Sequence, residues 1–228
     1  MIFIGLDDTD TLESRGTGHL ARQIAAALAT DYPVLGVTRH QLLVDPRVPC
    51  TKKNSSAAIV LGANGRVDLA ALMARVQTLM LADFQPGSDP GLCVARDVPA
   101  EVVDFGRQAQ RRLLTQEEAR ALAAAHGIPL VGLGGDQDGV IGSLAAVGLV
   151  ASGDDGRYVL VGRSRELSGL QPVSALLEAG ISAVQTRDGS PVTGGVVQAD
   201  KLRPARRGGR PIAVVEWADD CWRALKLD

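Results

Sequence analysis

At 228 residues the chain has room for one large domain or two modest ones, taking roughly 150 residues per domain. Hydrophobic residues make up 46% and charged residues 22%, which excludes intrinsic disorder, and with only 3% aromatic residues the core must be built from Ala, Val, Leu and Ile. Lys plus Arg number 24 against 26 Asp plus Glu, a net charge of -2, so no general attraction to nucleic acid or anionic lipid is available.

Residues 1–6 form a short apolar run that breaks into acid, the pattern of a buried strand whose C-terminal edge opens into a functional loop. The run over 20–28 places Leu20, Ile24, Ala27 and Leu28 on one helical face, and Asp31-Tyr32-Pro33 stops it. Strands are expected over 34–44 and 56–61, with Asn64-Gly65 as a turn signal. A helix follows, its apolar stripe supplied by Val67, Leu69, Leu72, Met73, Val76, Leu79 and Met80. The breaker cluster at 85–91 precedes a strand at 92–95 and helical stretches near 99–110 and 115–126, the second opened by the capping box of Thr115 and Glu118.

Residues 128–131 read as a strand. A glycine-rich loop over 132–139 leads into 140–150, which is small and apolar enough to pack tightly beneath a ligand. Then come a strand at 157–161, a helix at 172–179 and a strand at 181–186. The last quarter is richer in Gly, Pro and Arg, so a boundary is expected between domains 1–165 and 166–228. The alternation predicts an α/β or α+β fold, a mixed sheet with helices, followed by a smaller C-terminal α/β subdomain for which a ferredoxin-like arrangement is one option. The cysteines, Cys50, Cys93 and Cys221, are too scattered for a disulfide framework or a zinc site, and a reducing, cytoplasmic setting is expected. The opening residues carry no basic leader and no apolar run approaches the roughly 18 residues of a membrane span, so neither export nor a membrane partner is expected.

Four constellations carry chemistry. Asp7, Asp8 and Asp10 crowd the end of the first strand, where their repulsion is relieved by solvation or by a cation, and hard carboxylate oxygens suit Mg2+. One of them capping a turn is the plainer alternative. Next, Gly16-Thr17-Gly18-His19 stands directly before the first helix, where backbone N–H groups and the helix N-terminus suit a phosphate, and where Thr17 alternatively serves as an N-cap. Third, Lys52, Lys53, Asn54, Ser55 and Ser56 combine positive charge with small hydrogen-bonding side chains that can orient phosphate oxygens, unless the lysines are simply solvated. Fourth, the segment 134–143, with Asp136, Asp138, Gly139, Gly142 and Ser143, either wraps a nucleotide or makes a tight turn in which Gly142 and Gly148 permit close helix packing. The histidines His19, His40 and His126 are not spaced as a metal set; His19 and His40 lie next to the expected site, and His126 reads as a helix C-terminal residue. Arg203, Arg206, Arg207 and Arg210 read as a solvated loop, with phosphate or RNA contact as the alternative.

In order, Ile4-Gly5-Leu6-Asp7-Asp8-Thr9-Asp10, Gly16-Thr17-Gly18-His19-Leu20-Ala21, Val48-Pro49 with Lys52-Lys53-Asn54, Asp89-Pro90-Gly91 and the run 139–148 resemble the N-terminal kinase-like part of the archaeal tRNA agmatidine synthetase family. The resemblance covers residues 1 to about 150 and implies ATP and Mg2+ as cofactors. It implies metal contact by Asp7, Asp8 and Asp10, catalytic roles for Asp8, Thr17 and Lys53, and cofactor contact by Gly16, Gly18, His19, Lys52, Asn54, Ser55, Gly139, Gly142 and Ser143. Thr17 matches the family's phosphate-accepting threonine, whereas Gly18 and His19 replace a Thr and an aromatic residue, and Asp136 and Asp138 occupy a loop that is basic in the family. The resemblance does not extend to the family's oligonucleotide-binding barrel and zinc ribbon, so tRNA is not expected as a partner without an added binding module. The expectation is an ATP- and Mg2+-dependent phosphoryl-transfer or phosphate-activated ligation enzyme acting on a small molecule or on a substrate presented by a partner protein, with a homo-oligomer left open. One alternative is a nucleotide-binding regulatory or complex subunit without catalysis. Another is a phosphatase with a nucleophilic aspartate, because Asp8-Thr9-Asp10-Thr11-Leu12 resembles the haloacid dehalogenase signature but is one residue short.

Overall fold

The computed structural model describes residues 1–62, 65 and 67–227, so the Asn64 turn signal lies outside the described residues. The chain divides into two compact units, Met1–Ser152 and a second that begins at Gly153. This division falls before the 165/166 boundary expected from composition, because Arg157–Leu160 pairs with a strand of the second unit. No helix among the described residues is long and apolar enough to cross a membrane.

The first unit comprises β1 (Ile2–Asp7), α1 (Thr17–Leu28), β2 (Val34–Gln41), β3 (Ser55–Leu61), α2 (Leu69–Ala82), β4 (Gly91–Ala95), α3 (Ala100–Ala109), α4 (Gln116–Ala125), β5 (Leu130–Gly132) and α5 (Gly139–Ser152). Its strands lie in the order β5-β4-β1-β3-β2, each antiparallel to its neighbours. Successive side chains of a strand point to opposite faces. Phe3, Ala58, Val60, Cys93 and Ala95 pack with α3, α4 and α5 on one face. The intervening Ile2, Ile4, Leu6, Ile59, Leu61 and Leu92 are fully buried toward the other, where α1 lies against β2 and β3, and α2 against β4.

Helix α5 is apolar all round, and a helix of that kind sits in the interior; nearly all of its residues are buried. It lies on the sheet with almost no side chains between. A Cβ on Gly5 would stand 2.0 Å from the Ser143 carbonyl oxygen, and one on Gly91 would stand 2.0 Å from the Gly139 carbonyl oxygen. On the far side a Gly148 Cβ would meet the Val102 carbonyl oxygen of α3 at 2.0 Å. Close helix packing at Gly148 is therefore present in the fold.

Several elements begin or end away from their expected limits: β5 covers 130–132 rather than 128–131 and the strand expected at 181–186 starts at 183, and two others bear on the cleft. α1 starts at Thr17 rather than residue 20, with Gly16 as its N-cap, because the apolar stripe marks only the buried face and not the first turn. β2 ends at Gln41 rather than 44, since the chain leaves the ladder for the 42–54 loop. The capping box of α4 is present, with Thr115 and Glu118 satisfying each other's backbone N–H groups, and His126 is the C-cap of that helix.

The second unit holds β6 (Arg157–Leu160), β7 (Leu170–Pro172), α6 (Val173–Glu178), β8 (Ala183–Thr186), β9 (Val196–Gln198), β10 (Ala205–Arg207), β11 (Arg210–Ala218) and β12 (Cys221–Ala224). The sheet is mixed: β8 runs parallel to β11 and β9 parallel to β12, while β10 and β12 are antiparallel to β11. Tyr158, Leu176, Val184, Val197, Ala213 and Val215 form its core. With α6 as the one helix among its described elements, it does not follow the β-α-β-β-α-β order of a ferredoxin-like arrangement. Nor is the arginine cluster a solvated loop throughout. Arg206 is buried, donating to the Tyr158 hydroxyl and, at 2.8 Å, to the Gly209 carbonyl. Gly208 and Gly209, at φ +54 and +73, make the two-residue turn that places it there.

Candidate functional site

A cleft of about 210 Å³ opens at the C-terminal end of β1 in the first unit. Its lining combines polar side chains, Asp7, Asp8, Asp10, Thr17, Lys53 and Asp138, with apolar ones, Leu42, Leu43, Val48, Leu114 and Ile141. Of the residues singled out from sequence, Asp7, Asp8, Asp10, Thr17, Lys53, Asn54, Ser55 and Gly142 line this one cleft. Gly16, Gly18, His19, Lys52, Gly139 and Ser143 are not among its lining residues.

The acidic loop is shaped by the elements around it. Asp8 turns the chain out of β1 in the left-handed region at φ +50, a conformation that Asp tolerates better than most residues. A Gly142 Cβ would stand 1.7 Å from Asp7 Oδ2, so the carboxylate occupies the slot left by a missing side chain on the first turn of α5. Asp10 points at α1: its Oδ1 accepts from the Thr17 backbone N–H at 3.2 Å and from the Thr17 hydroxyl at 3.0 Å. Its Oδ2 accepts from the Thr51 hydroxyl at 2.9 Å, tying in the 42–54 loop. The Thr9 hydroxyl in turn donates to Thr17 Oγ1 at 3.1 Å. The anion seated at the N-terminus of α1 is thus the chain's own Asp10, which supplies the cap that Gly16 cannot.

The electrostatics follow from this crowding. Burial, with Asp8 as the next cause, pushes the Asp7 carboxyl up to about 8. Asp8 is pushed up to about 6 by burial and then by the carboxylates of Asp89, Asp10 and Asp138. A cation or a protonated group beside the pair relieves both.

The remaining expected residues serve nearby structure. Asn54 donates to the Leu43 carbonyl at 2.9 Å, holding the loop after β2. Ser55 Oγ donates to the Lys53 carbonyl at 3.3 Å. His19 lies between Arg15 and Arg22, with ring nitrogens 3.1 and 3.2 Å from their guanidinium groups. Lys52 is exposed. Ser143 is fully buried and donates to the Val140 carbonyl at 3.1 Å within α5. The segment 134–139 is tied down: the Asp136 N–H donates to Asp89 Oδ1 at 2.6 Å, and Gln116 reaches the Asp136 carbonyl at 2.7 Å and Asp138 Oδ1 at 2.6 Å.

Thr51, which directly precedes the Lys52-Lys53-Asn54 segment singled out from sequence, lines the cleft, whereas sequence reasoning passed over Arg47 and Arg112. Arg112 lines the cleft from just beyond α3 while bonding Glu118 of the α4 capping box at 2.9 Å. Arg47 lines it while held by Asp45 through two bonds of 2.8 Å. The Arg111-Arg112 pair after a helix was the available signal for one, and Asp45 two residues before Arg47 for the other.

A mixed α/β fold with an acidic cleft at the end of its first strand is the class that this architecture defines. Within that class the chain resembles part of tRNA agmatidine synthetase, as its motifs implied. It is 28% identical over 155 residues to tRNA(Ile2) 2-agmatinylcytidine synthetase TiaS of Cenarchaeum symbiosum (strain A), over 64% of this chain and 33% of that protein. The chain therefore spans about a third of the length of the curated relative it matches. Among solved structures, a tRNA fluorescent labeling enzyme matches with a TM-score of 0.56 and 22% identity, over 64% of this chain and 35% of that one. The TiaS–tRNA(Ile2)–ATP complex matches with a TM-score of 0.56 and 22% identity, over 64% of this chain and 36% of that one. At such identity these structures establish a shared fold. No family model matches the chain.

Proposed function

We propose that the first unit binds ATP in the acidic cleft and uses it for phosphoryl transfer or for phosphate-activated ligation, with a small molecule or a partner-presented substrate as acceptor. The observation that carries this reading is the convergence of four segments distant in sequence, Asp7 to Asp10, Thr17, Lys53 to Ser55 and Gly142, on one cleft. The similarity to TiaS, one of whose matched structures is a complex with ATP, supports the choice of nucleotide.

Among the described residues no three His, Cys, Asp or Glu side chains gather into a cation site. Mg2+ in phosphate-transferring sites is commonly held by one or two carboxylates together with substrate phosphates. Asp7 and Asp8 fit that requirement: they are adjacent hard oxygen donors lining one cleft, with both carboxyls raised first by burial and then by neighbouring carboxylates. Asp10, with both oxygens in hydrogen bonds to Thr17 and Thr51, frames the site beside them. Mg2+ held there would offset the charge of the phosphate oxygens and of the two carboxylates.

Lys53 supplies positive charge for the phosphate oxygens, and the apolar side chains of Leu42, Leu43, Val48 and Ile141 limit water in the cleft. In the transfer step the acceptor oxygen bonds to the terminal phosphorus, the bond from that phosphorus to the leaving diphosphate breaks, and the acceptor proton passes to a carboxylate. For Thr17 as the acceptor, the proton has a path already in place, since its hydroxyl donates to Asp10 Oδ1.

Titration of the full chain with ATP in the presence of Mg2+, followed by intact-mass measurement, tests this reading. Affinity for ATP that is lost in Asp8→Asn, and a gain of one phosphate that is lost in Thr17→Ala, are the results expected; no ATP affinity overturns it. The Asp138 carboxylate, which lines the same cleft and raises Asp8, favours a second reading, a nucleotide-binding subunit without turnover. Tight ATP binding with no product on any acceptor and with a co-purifying partner would select it.

A further inference from the structure

A buried polar row crosses the sheet at the floor of the cleft. The β1–β3 ladder ends at the pair Leu6 and Ala57, and its register continued by one residue sets Asp7 opposite Ser56. In the β2–β3 register Ser56 faces His40. Ser56 shares the strand face of Ala58 and Val60, which pack with α5. Asp7 is on that face too, because its Oδ2 fills the space below Gly142 of α5. Asp7, Ser56 and His40 therefore stand in one line beneath the helix, beside Thr38 of β2 and within a largely apolar layer.

Neither of the two inner members takes part in the function proposed above. Ser56 is 1% exposed and His40 is fully buried. His40 Nε2 lies 2.8 Å from the Thr38 hydroxyl, which donates to the Ala58 carbonyl at 3.3 Å. The Ser56 hydroxyl, by contrast, has no hydrogen-bond partner. A buried hydroxyl in that state has lost water without gaining an acceptor, and most positions avoid it. Directly opposed side chains on one face have Cβ atoms about 4.5–5.5 Å apart, a spacing from which a serine hydroxyl reaches a carboxylate oxygen by rotation about one bond. Ser56 is placed to donate to Asp7 from the sheet side.

We propose that Ser56 is a positioning residue for Asp7: its hydroxyl donates to the Asp7 carboxylate when Mg·ATP occupies the cleft, fixing the orientation in which that carboxylate meets the ligand. This rests on the reading of the cleft as an ATP site. Serine is required because alanine, the residue at the next two positions of β3, offers the same fit but no donor.

The test compares the full-length chain with Ser56→Ala, Ser56→Thr, Asp7→Ala and the double variant Ser56→Ala/Asp7→Ala, alanine being chosen at 7 because asparagine would keep an acceptor oxygen. Mg·ATP affinity is read by calorimetric titration, and the ligand-free melting midpoint reports folding. Ser56→Ala is expected to weaken Mg·ATP by about tenfold, the size of one hydrogen bond to a charged group, while its melting midpoint stays level or rises because an unpartnered hydroxyl has been removed. Ser56→Thr keeps the donor and restores affinity, and the double variant binds no more weakly than Asp7→Ala alone. Ser56→Ala binding as tightly as the wild type, or losing affinity in full again when added to Asp7→Ala, overturns the proposal while leaving the ATP reading intact. A wild-type chain that binds no Mg·ATP overturns the ATP reading and this inference with it.

Discussion

The Thr17 hydroxyl donates to Asp10 Oδ1 at 3.0 Å, and the Thr17 backbone N–H donates to the same oxygen at 3.2 Å. One carboxylate oxygen thus caps α1 and orients a side chain that lines the cleft. Its other oxygen, held by Thr51, brings the 42–54 loop to the same point.

Replacing Asp10 should therefore act on folding before it acts on ligand. Asp10→Ala leaves the first turn of α1 uncapped and is expected to cost about 1–2 kcal/mol in urea unfolding, the usual size of an N-cap. Asp10→Asn, which keeps an acceptor oxygen for Thr17, should cost less. Equal losses for the two would mean that the charge and not the cap is what the fold uses.

The pH dependence has a definite sign. Unfolded, both carboxyls titrate near 3.8; folded, Asp7 keeps its proton to about 8 and Asp8 to about 6. Between those values the folded chain binds more protons than the unfolded one, so these groups take stability away as pH rises through the window. Chemical denaturation at pH 5 and pH 8 should show Asp7→Asn closing part of the gap relative to wild type, by gaining most at the higher pH. A gap unchanged by Asp7→Asn would remove Asp7 as its source.

Glycine at 142 should be irreplaceable for a reason that its helix position does not suggest. Gly142→Ala drives a methyl into the Asp7 carboxylate, whereas Gly148→Ala drives one into the Val102 carbonyl, far along the helix. Both are expected to destabilise by about 1–3 kcal/mol, the range for overpacking. The position that touches Asp7 should in addition weaken ATP in calorimetric titration of the folded variant. Equal ATP affinity in the two variants would detach Asp7 from nucleotide binding.

The two lysines should separate. Lys53 lines the cleft and Lys52 does not. Lys53→Ala is expected to weaken ATP by about tenfold, as loss of a charged contact to phosphate does, with Lys52→Ala close to wild type. The reverse order would place the phosphates outside the cleft.

Much of the first unit was legible in the sequence because its signals are local. An apolar run ending in Asp7 marks β1, and Thr115 with Glu118 marks the start of α4. The convergence of Asp7, Thr17, Lys53 and Gly142 was legible only through the order of the motifs, since nothing local joins them. What stayed hidden were partnerships across long separations. That Asp10 caps α1, that Asp89 ties down Asp136, and that Arg112 bridges Glu118 to the cleft are set by tertiary packing. In the second unit the strands are short: β7, β9 and β10 are three residues each. Such runs give no readable alternation, and Arg206 read as surface because its partner, Tyr158, lies forty-eight positions earlier.

The backbone contacts of α5 with Gly5 and Gly91 have a mechanical meaning. A helix separated from a sheet by side chains can ride on them as on a cushion, changing height as rotamers shift. Here the Ser143 and Gly139 carbonyls meet the strands directly, so the helix has no travel in that direction. The floor of the cleft at Asp7 is thereby set by backbone against backbone, and its depth does not follow side-chain rotamers.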